Sequence, residues 1–570
     1  MEMQAQLVAA LILAPLLGGA GALLSSLLPW RRLPGLVALA LLLFGFAVSL
    51  ITPLKATSPE AEVLVVGGWA QNVGITILYD GSASLIVALF YLVSSLILIH
   101  AMAEGERGPV FYGAFSVSLG GMVGVVLSAD LFNLFVFFEV LSLSAALLIA
   151  YERSLPSMQA AFRYLLISTL SISLYLLGLF ILYRNYGELS FAVLSHLITE
   201  SDLNRADLRL AGALFFSAVA TRIALVPFCG WLPEAHGQAP TAVSALLSGL
   251  MLKAGFVAFW HLIALFQSGS LGQLLMWFGG ASAVFGAAAA LMQNDGKRLL
   301  AFSSISQLGY ITAAAGAGAF SASAYHLVSH ALYKSLLFLI VGSWVHRWGV
   351  RRIPALREAL HGESAGWRER LHRAIFVLGV AAIIGLPPLS AFASKGVMSA
   401  LMKYSSIYPV IQVAGVLTAA AMIKLGLVVV PPGRRRLAYA GAARTDRLSG
   451  GVADHGPRRS LLSAFGETVP LFFLLLFTLF LGAFPGETLR YLTAMRVPVA
   501  ALPEQFEIYT LYRVVESLGV ALIGLLLVKL LGTRWGKRFE AMMRNARLGV
   551  DGSMGFVVLG TATVVLSLLL

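Results

Sequence analysis

A single cysteine, Cys229, stands among the 570 residues. One thiol forms no intrachain disulfide, no cysteine cage for zinc and no iron–sulfur cluster, so any redox chemistry linked to this chain belongs to a partner. No cofactor, metal or catalytic centre of its own is expected. Charge is equally scarce: 12% of residues are Asp, Glu, Lys or Arg, while 59% are hydrophobic and the mean hydropathy is +0.86. Soluble domains carry about twice that charge, so the composition defines a polytopic membrane protein. No G-x-x-x-x-G-K-[ST] phosphate loop occurs, and glycine-rich pieces such as AGAGAF (315–320) read as close-packing or loop sites.

What is present is a succession of apolar runs, each long enough to cross a hydrocarbon core roughly 30 Å thick as a helix. About sixteen are expected, at 7–28, 34–52, 76–100, 110–128, 130–150, 160–183, 210–232, 241–266, 271–292, 299–318, 322–345, 374–402, 408–430, 462–484, 511–531 and 553–570. The fold class is therefore all-α, a bundle of fourteen to sixteen transmembrane helices. The first run has no positive residue before it and no clear small-residue cleavage site after it, so it reads as an anchor. The net charge of +13 is not a nucleic-acid footprint, because Lys and Arg sort by loop side. Loops on one side, notably 346–373, 431–460 and 533–550, hold about 26 of the 40, whereas opposite loops hold about eight. The positive-inside rule then puts both termini on the non-cytoplasmic side of the cell (inner) membrane. The basic stretch TRWGKRFEAMMRNARLGVDG (533–552) has the look of an amphipathic helix on the cytoplasmic surface.

Two expected helices carry internal prolines, 210–232 with LVPFCGWLP and 374–402 with GLPPLSAFASK. Proline removes a backbone donor and clashes with the preceding turn, so each should break near mid-membrane and free carbonyls there. A lysine helix follows each break, SGLMLKAGFVA around Lys253 and AAAMIKLGLVV around Lys424. Broken helices at corresponding places in two halves mark repeated transporter architecture with the site at the breaks. The chain divides accordingly into N-terminal helices (1–105), a first repeat (106–268), a second repeat (269–432) and C-terminal helices with basic loops (433–570).

Within these apolar runs sit Glu139, Arg222, Lys253, His326, His330, Lys334, Lys395 and, less firmly placed, Lys424. An ionisable side chain at the bilayer centre costs roughly 2.5–3.5 kcal/mol even on lenient scales, so such a set lines something polar, and its default reading is an ion or proton pathway. His326, His330 and Lys334 are spaced i, i+4, i+8, along one helical face over about 12 Å. Two histidines in line can pass protons through intervening water. The pair could instead ligate a metal or be bonded core histidines, although the adjacent lysine repels a cation. Lys395 sits beside freed carbonyls and is the candidate exit gate, with snorkelling to the interface as the alternative. Lys424 rests on its echo of Lys253 and reads equally well as snorkelling. Glu139 has no opposite charge on its own helix, and Arg222 is the expected partner; a neutral, bonded acid is the competing reading. Asp130 is better explained as an N-cap. Glu234, His236, Asp295 and Lys297 fall in short connecting loops and offer either a proton-uptake point or loop and cap residues. His100, His196, His261 and His361 belong to no visible constellation.

These blocks together resemble the antiporter-like subunits shared by respiratory complex I, membrane-bound hydrogenases and Mrp-type cation/proton antiporters. The resemblance is carried by DLFNLFVFFEVLSLSAALLIAY (130–151), PFCGWLPEAHGQAPTAVSALLSGLMLKAG (227–255), NDGKRLLAFSSISQLGY (294–310), HLVSHALYKSLLFLIVGS (326–343) and GLPPLSAFASKG (385–396). It spans roughly residues 76 to 430 in the order and spacing of that family. It implies two inverted five-helix repeats, each with a half-channel, joined by a hydrated polar axis, in a subunit that moves protons beside other membrane subunits and the lipid bilayer. On that basis Glu139 matches the glutamate of the fifth helix, Lys253 the lysine of the eighth, His326, His330 and Lys334 the connecting relay, and Lys395 the lysine beside the second break. Sodium is a further transport candidate. Two positions depart from the pattern: Arg222 replaces the usual lysine five residues before the first break's proline, and Cys229 replaces a frequent histidine. An arginine stays protonated, so Arg222 can polarise Glu139 but cannot relay a proton. Either the first half-channel works around a fixed cation, or it is impaired. The latter keeps open a scaffold or energy-coupling role, for example in an inorganic-carbon uptake assembly.

Overall fold

The computed structural model describes residues 2–52, 62–66, 75–105, 107–200, 206–266, 269–361, 366–431, 461–494, 507–531 and 560. Helices α1 (Glu2–Leu24) and α2 (Leu33–Ile51) lead to a hairpin of β1 (Glu62–Val66) and β2 (Ile75–Tyr79), antiparallel with Leu64 opposite Ile77. The hairpin corrects the expected span 76–100, which begins only at α3 (Gly81–Glu104). Asp80 accepts a hydrogen bond from the Ala83 backbone N–H and starts the helix there. Hydropathy alone runs the apolar strand ITILY into the helix that follows, because both are greasy.

Next come α4 (Pro109–Leu127), α5 (Leu131–Ile149), α6 (Leu155–Tyr186) and the short α7 (Phe191–Glu200). Asp130 and Ser154 cap α5 and α6 by accepting from Asn133 N and Ser157 N, as the N-cap reading of Asp130 required. The first broken helix follows as α8 (Ala206–Arg222) and α9 (Trp231–Gln238), parted at LVPFC. The next span is interrupted too: α10 (Thr241–Leu246), a π-turn (Leu247–Met251) and α11 (Leu252–Leu265). Then come α12 (Gly269–Met292), α13 (Gly296–Gly316), α14 (Phe320–Trp348) and α15 (Ile353–His361). The second broken helix is α16 (Trp367–Ile384) and α17 (Ser390–Met402). Gly385 ends α16 with φ +94°, a left-handed backbone that favours glycine. After α18 (Tyr408–Gly426), the described chain closes with α19 (Leu461–Ala483), α20 (Pro485–Ala494) and α21 (Leu511–Leu531).

Thirteen of the described helices are long and apolar enough to cross a membrane, and the two broken helices fall where prolines put them. The expected last span, 553–570, and the basic stretches 432–460 and 533–552 lie outside the described residues, Gly560 apart.

Helix α14 is the axis of the bundle, since every residue from Ser321 to Gly342 is buried. Its polar side chains therefore reach neither lipid nor bulk water. α13 is held against α12 at backbone contact: a Cβ on Gly279 would lie 2.4 Å from Ala313 N, and one on Gly309 2.4 Å from Ala283 N. Without hydrophobic drive between helices in lipid, such close approach supplies the packing energy. It also fixes α13, whose inner face carries Ser303 and Gln307 toward α14 and Ser304 toward the π-turn. At the opposite extreme, α21 exposes Leu518, Leu522, Leu526 and Leu530 and rides the outside of α18.

Candidate functional site

At the first break the Arg222 guanidinium turns onto α5. Nη2 lies 3.5 Å from Glu139 Oε1, Nη1 donates to Phe138 O at 3.3 Å and to Ser142 Oγ, and the group sits 5.0 Å from the Phe138 ring centroid. The expected pairing of Glu139 with Arg222 is thus present. Its two members differ in exposure, 8% for the Arg222 side chain and 37% for Glu139. The cation is embedded, while its carboxylate looks out of the bundle.

Lys253 comes directly after the π-turn and is fully buried. Its ammonium folds back onto Ser248 O, a carbonyl within the π-turn, where the i→i+5 pattern replaces regular α bonding. Ser248 Oγ lies 2.7 Å from Ser304 Oγ, and Ser304 donates to Leu300 O at 3.1 Å. The same Leu300 carbonyl accepts from Lys334 Nζ at 2.8 Å, and Lys334 also donates to Ser303 Oγ. Lys253 and Lys334, eighty-one positions apart, are therefore linked through Ser248, Ser304 and the Leu300 carbonyl, with Ser303 as a second acceptor for Lys334.

Further along α14, His330 is fully buried with both ring nitrogens unbonded, its ring edge-on to Tyr333 at 5.5 Å. His326 is fixed at both nitrogens, Nδ1 to Ser394 Oγ at 2.8 Å and Nε2 to Gln307 Oε1 at 3.0 Å. An amide oxygen only accepts, so Nε2 carries the hydrogen and Nδ1 accepts from Ser394 while the ring is neutral. Ser394 precedes Lys395 on α17. Lys395 reaches back across the second break to Ile383 O at 3.0 Å and Ile384 O at 3.2 Å, the carbonyls that the prolines leave free. Tyr310 stands between them, its ring centroid 5.5 Å from Lys395 Nζ and 6.0 Å from the His326 ring.

Beside Lys395 opens a cavity of about 80 Å³, room for several waters. α21 closes one wall. Arg513 donates to Gly396 O, Ser517 donates to Gly385 O at 2.6 Å, and Glu516 accepts from Gln412 at 2.7 Å.

The expected residues thus fall into groups: Glu139 with Arg222, Lys253 linked to Lys334 through Ser248 and Ser304, and His326 set beside Lys395 by Ser394 and Tyr310, with His330 between Lys334 and His326 on α14. Lys424 stands apart: its ammonium donates to Leu291 O at 2.8 Å, on the last turn of α12. Glu234 and His236, expected in a loop, lie on α9. Glu234 pairs with Arg163 at 2.6 Å, and His236 is buried, stacked on Phe338 at 4.7 Å. Asp295 caps α13 and Lys297 is buried, donating to Ala239 O at 2.8 Å. The bridging residues Ser248, Ser303, Ser304, Gln307 and Ser394 were not singled out from sequence. The one available signal was SSISQ (303–307), which puts three polar side chains on a single face of α13.

A polytopic helical membrane protein with two broken helices and titratable side chains held inside the bundle is the class that the fold and this geometry define. Residues 128–420 match the family described as NADH:quinone oxidoreductase/Mrp antiporter, transmembrane, and the chain belongs to that family. It is 33% identical over 375 residues to NADH-quinone oxidoreductase subunit N of Desulforudis audaxviator, covering 63% of this chain and 72% of that one. It is 29% identical over 360 residues to the antiporter subunit mnhD2 of Staphylococcus aureus, covering 61% and 70%. Among solved structures, a chain of the Mrp complex from a Dietzia species superposes with a TM-score of 0.74 at 24% identity, covering 87% of this chain and 97% of that one. One from an archaeal membrane-bound sulfane sulfur reductase superposes with a TM-score of 0.74 at 22% identity, covering 91% and 99%.

Proposed function

We propose that this chain is a proton-translocating, antiporter-like subunit of a multisubunit assembly in the cell membrane, with both termini on the non-cytoplasmic side. Residues 106–268 and 269–432 form its two repeats. The reading rests on one observation above all: Lys253, Lys334, His330 and His326 are fully buried and lead from the π-turn toward part-buried Lys395 at the second break, with serines, Gln307 and Tyr310 among them. A lysine held by carbonyls and hydroxyls can give up its proton and keep a bonded amine. The unbonded nitrogens of His330 call for internal water, the medium a proton relay uses. Protons enter near Lys253, cross through Lys334, His330 and His326, and leave past Lys395 into the cavity faced by Glu516. Arg222 with Glu139 supplies a fixed field at the first break, and Lys424, at the end of α12, has no step in the relay.

Relatives named for a quinone oxidoreductase and an antiporter give the driving force two forms, a redox partner or a cation gradient. The half-exposed Glu139 faces outward, where a neighbouring membrane subunit would cover it. Arg222 alone favours a second reading, a coupling scaffold without pumping. The test is pH-gradient formation in inverted vesicles carrying the intact assembly. Lys334→Ala and Lys395→Ala are each expected to abolish it, and wild-type gradients in both would overturn the relay.

A further inference from the structure

Away from that relay, α3, α14, α16 and α19 enclose a second buried set of titratable groups. His100, which belongs to no constellation in the sequence, is fully buried with both ring nitrogens bonded. Nδ1 lies 2.9 Å from Glu467 O, and a carbonyl only accepts, so Nδ1 carries a hydrogen. Nε2 lies 2.9 Å from Ser343 Oγ, and Ser343 Oγ lies 3.2 Å from Glu104 Oε1. The Glu104 side chain is 2% exposed.

A serine has one hydrogen to give, so the chain His100, Ser343, Glu104 has two complete arrangements. In one, an imidazolium donates through Nε2 to Ser343, and Ser343 donates to the Glu104 carboxylate. In the other, protonated Glu104 donates to Ser343, and Ser343 donates to the Nε2 of a neutral imidazole. Each bonds every group and carries the same net charge. They interconvert when two hydrogens shift together: the Nε2–H bond breaks as a serine O–H forms, and the original serine O–H breaks as a carboxylic O–H forms. One proton moves from His100 to Glu104, and the hydroxyl is restored.

We propose that His100, Ser343 and Glu104 form a proton shuttle that feeds the relay, an inference that rests on the proton-translocation reading above. The surroundings give it a direction. His372 of α16, within electrostatic reach of His100, bonds Thr468 Oγ1 of α19 at 3.0 Å, and Arg368 on the same helix pairs with Glu467 at 3.5 Å. Glu104 pairs with Arg107 at 3.0 Å and lies within electrostatic reach of His346 and Lys297. His236 in turn lies within reach of Lys297, Lys253 and Lys334. Glu104 releases its proton through water toward Lys297 and His236, and so to the start of the relay. Ser343 lies on the helix that carries Lys334, nine residues on, about 13 Å along its axis.

The experiment uses the intact assembly in inverted vesicles and reads the initial rate of acidification in H₂O and D₂O. Ser343→Ala removes the bridging hydroxyl and leaves both charges; it is expected to slow the rate at least about ten-fold. Ser343→Thr keeps a hydroxyl and is expected to stay within about two-fold of wild type. Glu104→Gln, an isostere that cannot hold the proton, is expected to match the alanine variant. A wild-type rate for Ser343→Ala or Glu104→Gln, or equal impairment of the threonine and alanine variants, would overturn the shuttle in favour of a structural clamp. Lys334→Ala in the same preparation separates the two ideas: if it pumps, the relay itself falls, whereas a dead Lys334→Ala beside a normal Ser343→Ala removes the shuttle alone.

Discussion

The two proline breaks share a backbone design and differ in what closes them. At the first, Thr221 O accepts from Trp231 Nε1 at 2.9 Å, and Val226 N donates to Ser282 Oγ at 3.0 Å. Neither partner titrates. The charged residue there, Arg222, looks away from the freed backbone and onto α5. At the second break the partner is itself titratable, since Lys395 holds Ile383 O and Ile384 O, and Ser517 of α21 holds Gly385 O. Deprotonation of Lys395 leaves an amine with two hydrogens where an ammonium had three, so backbone order and charge state are linked there and unlinked at the first break. On the proposed reading, the second break is where a proton's passage would be felt by the backbone, and the first would hold a constant field.

Making the second break resemble the first tests this most severely. Lys395→Arg keeps a cation that can bond the same carbonyls but never releases its proton. It is expected to lower pH-gradient formation by at least about a hundred-fold with the assembly intact. Near-normal pumping would mean that Lys395 acts only as a backbone clamp, and the contrast between the breaks would vanish.

Making the first break resemble the second should cost little. Arg222→Lys restores a titratable cation opposite Glu139 and is expected to keep most of the pumping rate. Arg222→Ala, which strips the carboxylate of its partner, is expected to lower it roughly ten-fold, a moderate figure because Glu139 is part-exposed. Wild-type rates in the alanine variant would remove the fixed-field role of the pair.

How much of this was legible before the structure depends on the range of the interaction. The breaks were readable because proline acts on its own turn, and the α14 relay because i, i+4, i+8 spacing is a property of one helix. Glu139 was readable as needing a partner because its own helix carries no opposite charge, and Arg222, at the family's usual lysine position, was the expected one. The serine bridges were not, because serines also pack silently between membrane helices and nothing local marks Ser248 as facing Ser304 across fifty-six positions. His100 was opaque for the same reason, its partners lying 243 and 367 positions away. The π-turn left no signal in SALLSGLMLK, and the hairpin before α3 was absorbed into a continuous apolar run. The role of α21 at the second break was hidden because the family resemblance ends near residue 430.

The smallest expected effect is the most pointed test of the first break as an inert frame. Trp231→Phe deletes the indole donor to Thr221 O but keeps an aromatic ring against Tyr164, now 5.0 Å away centroid to centroid. The carbonyl is not orphaned, because it also accepts from Ala224 N at 3.2 Å. The loss is therefore that of one ordinary hydrogen bond, about 1 kcal/mol, rather than the larger penalty of an unpaired buried acceptor. It should appear as a slightly lower melting temperature of the purified assembly, with the pumping rate unchanged. A ten-fold fall in rate at normal stability would mean that the first break also moves during the cycle, so that its fixed partners time the motion instead of merely bracing it.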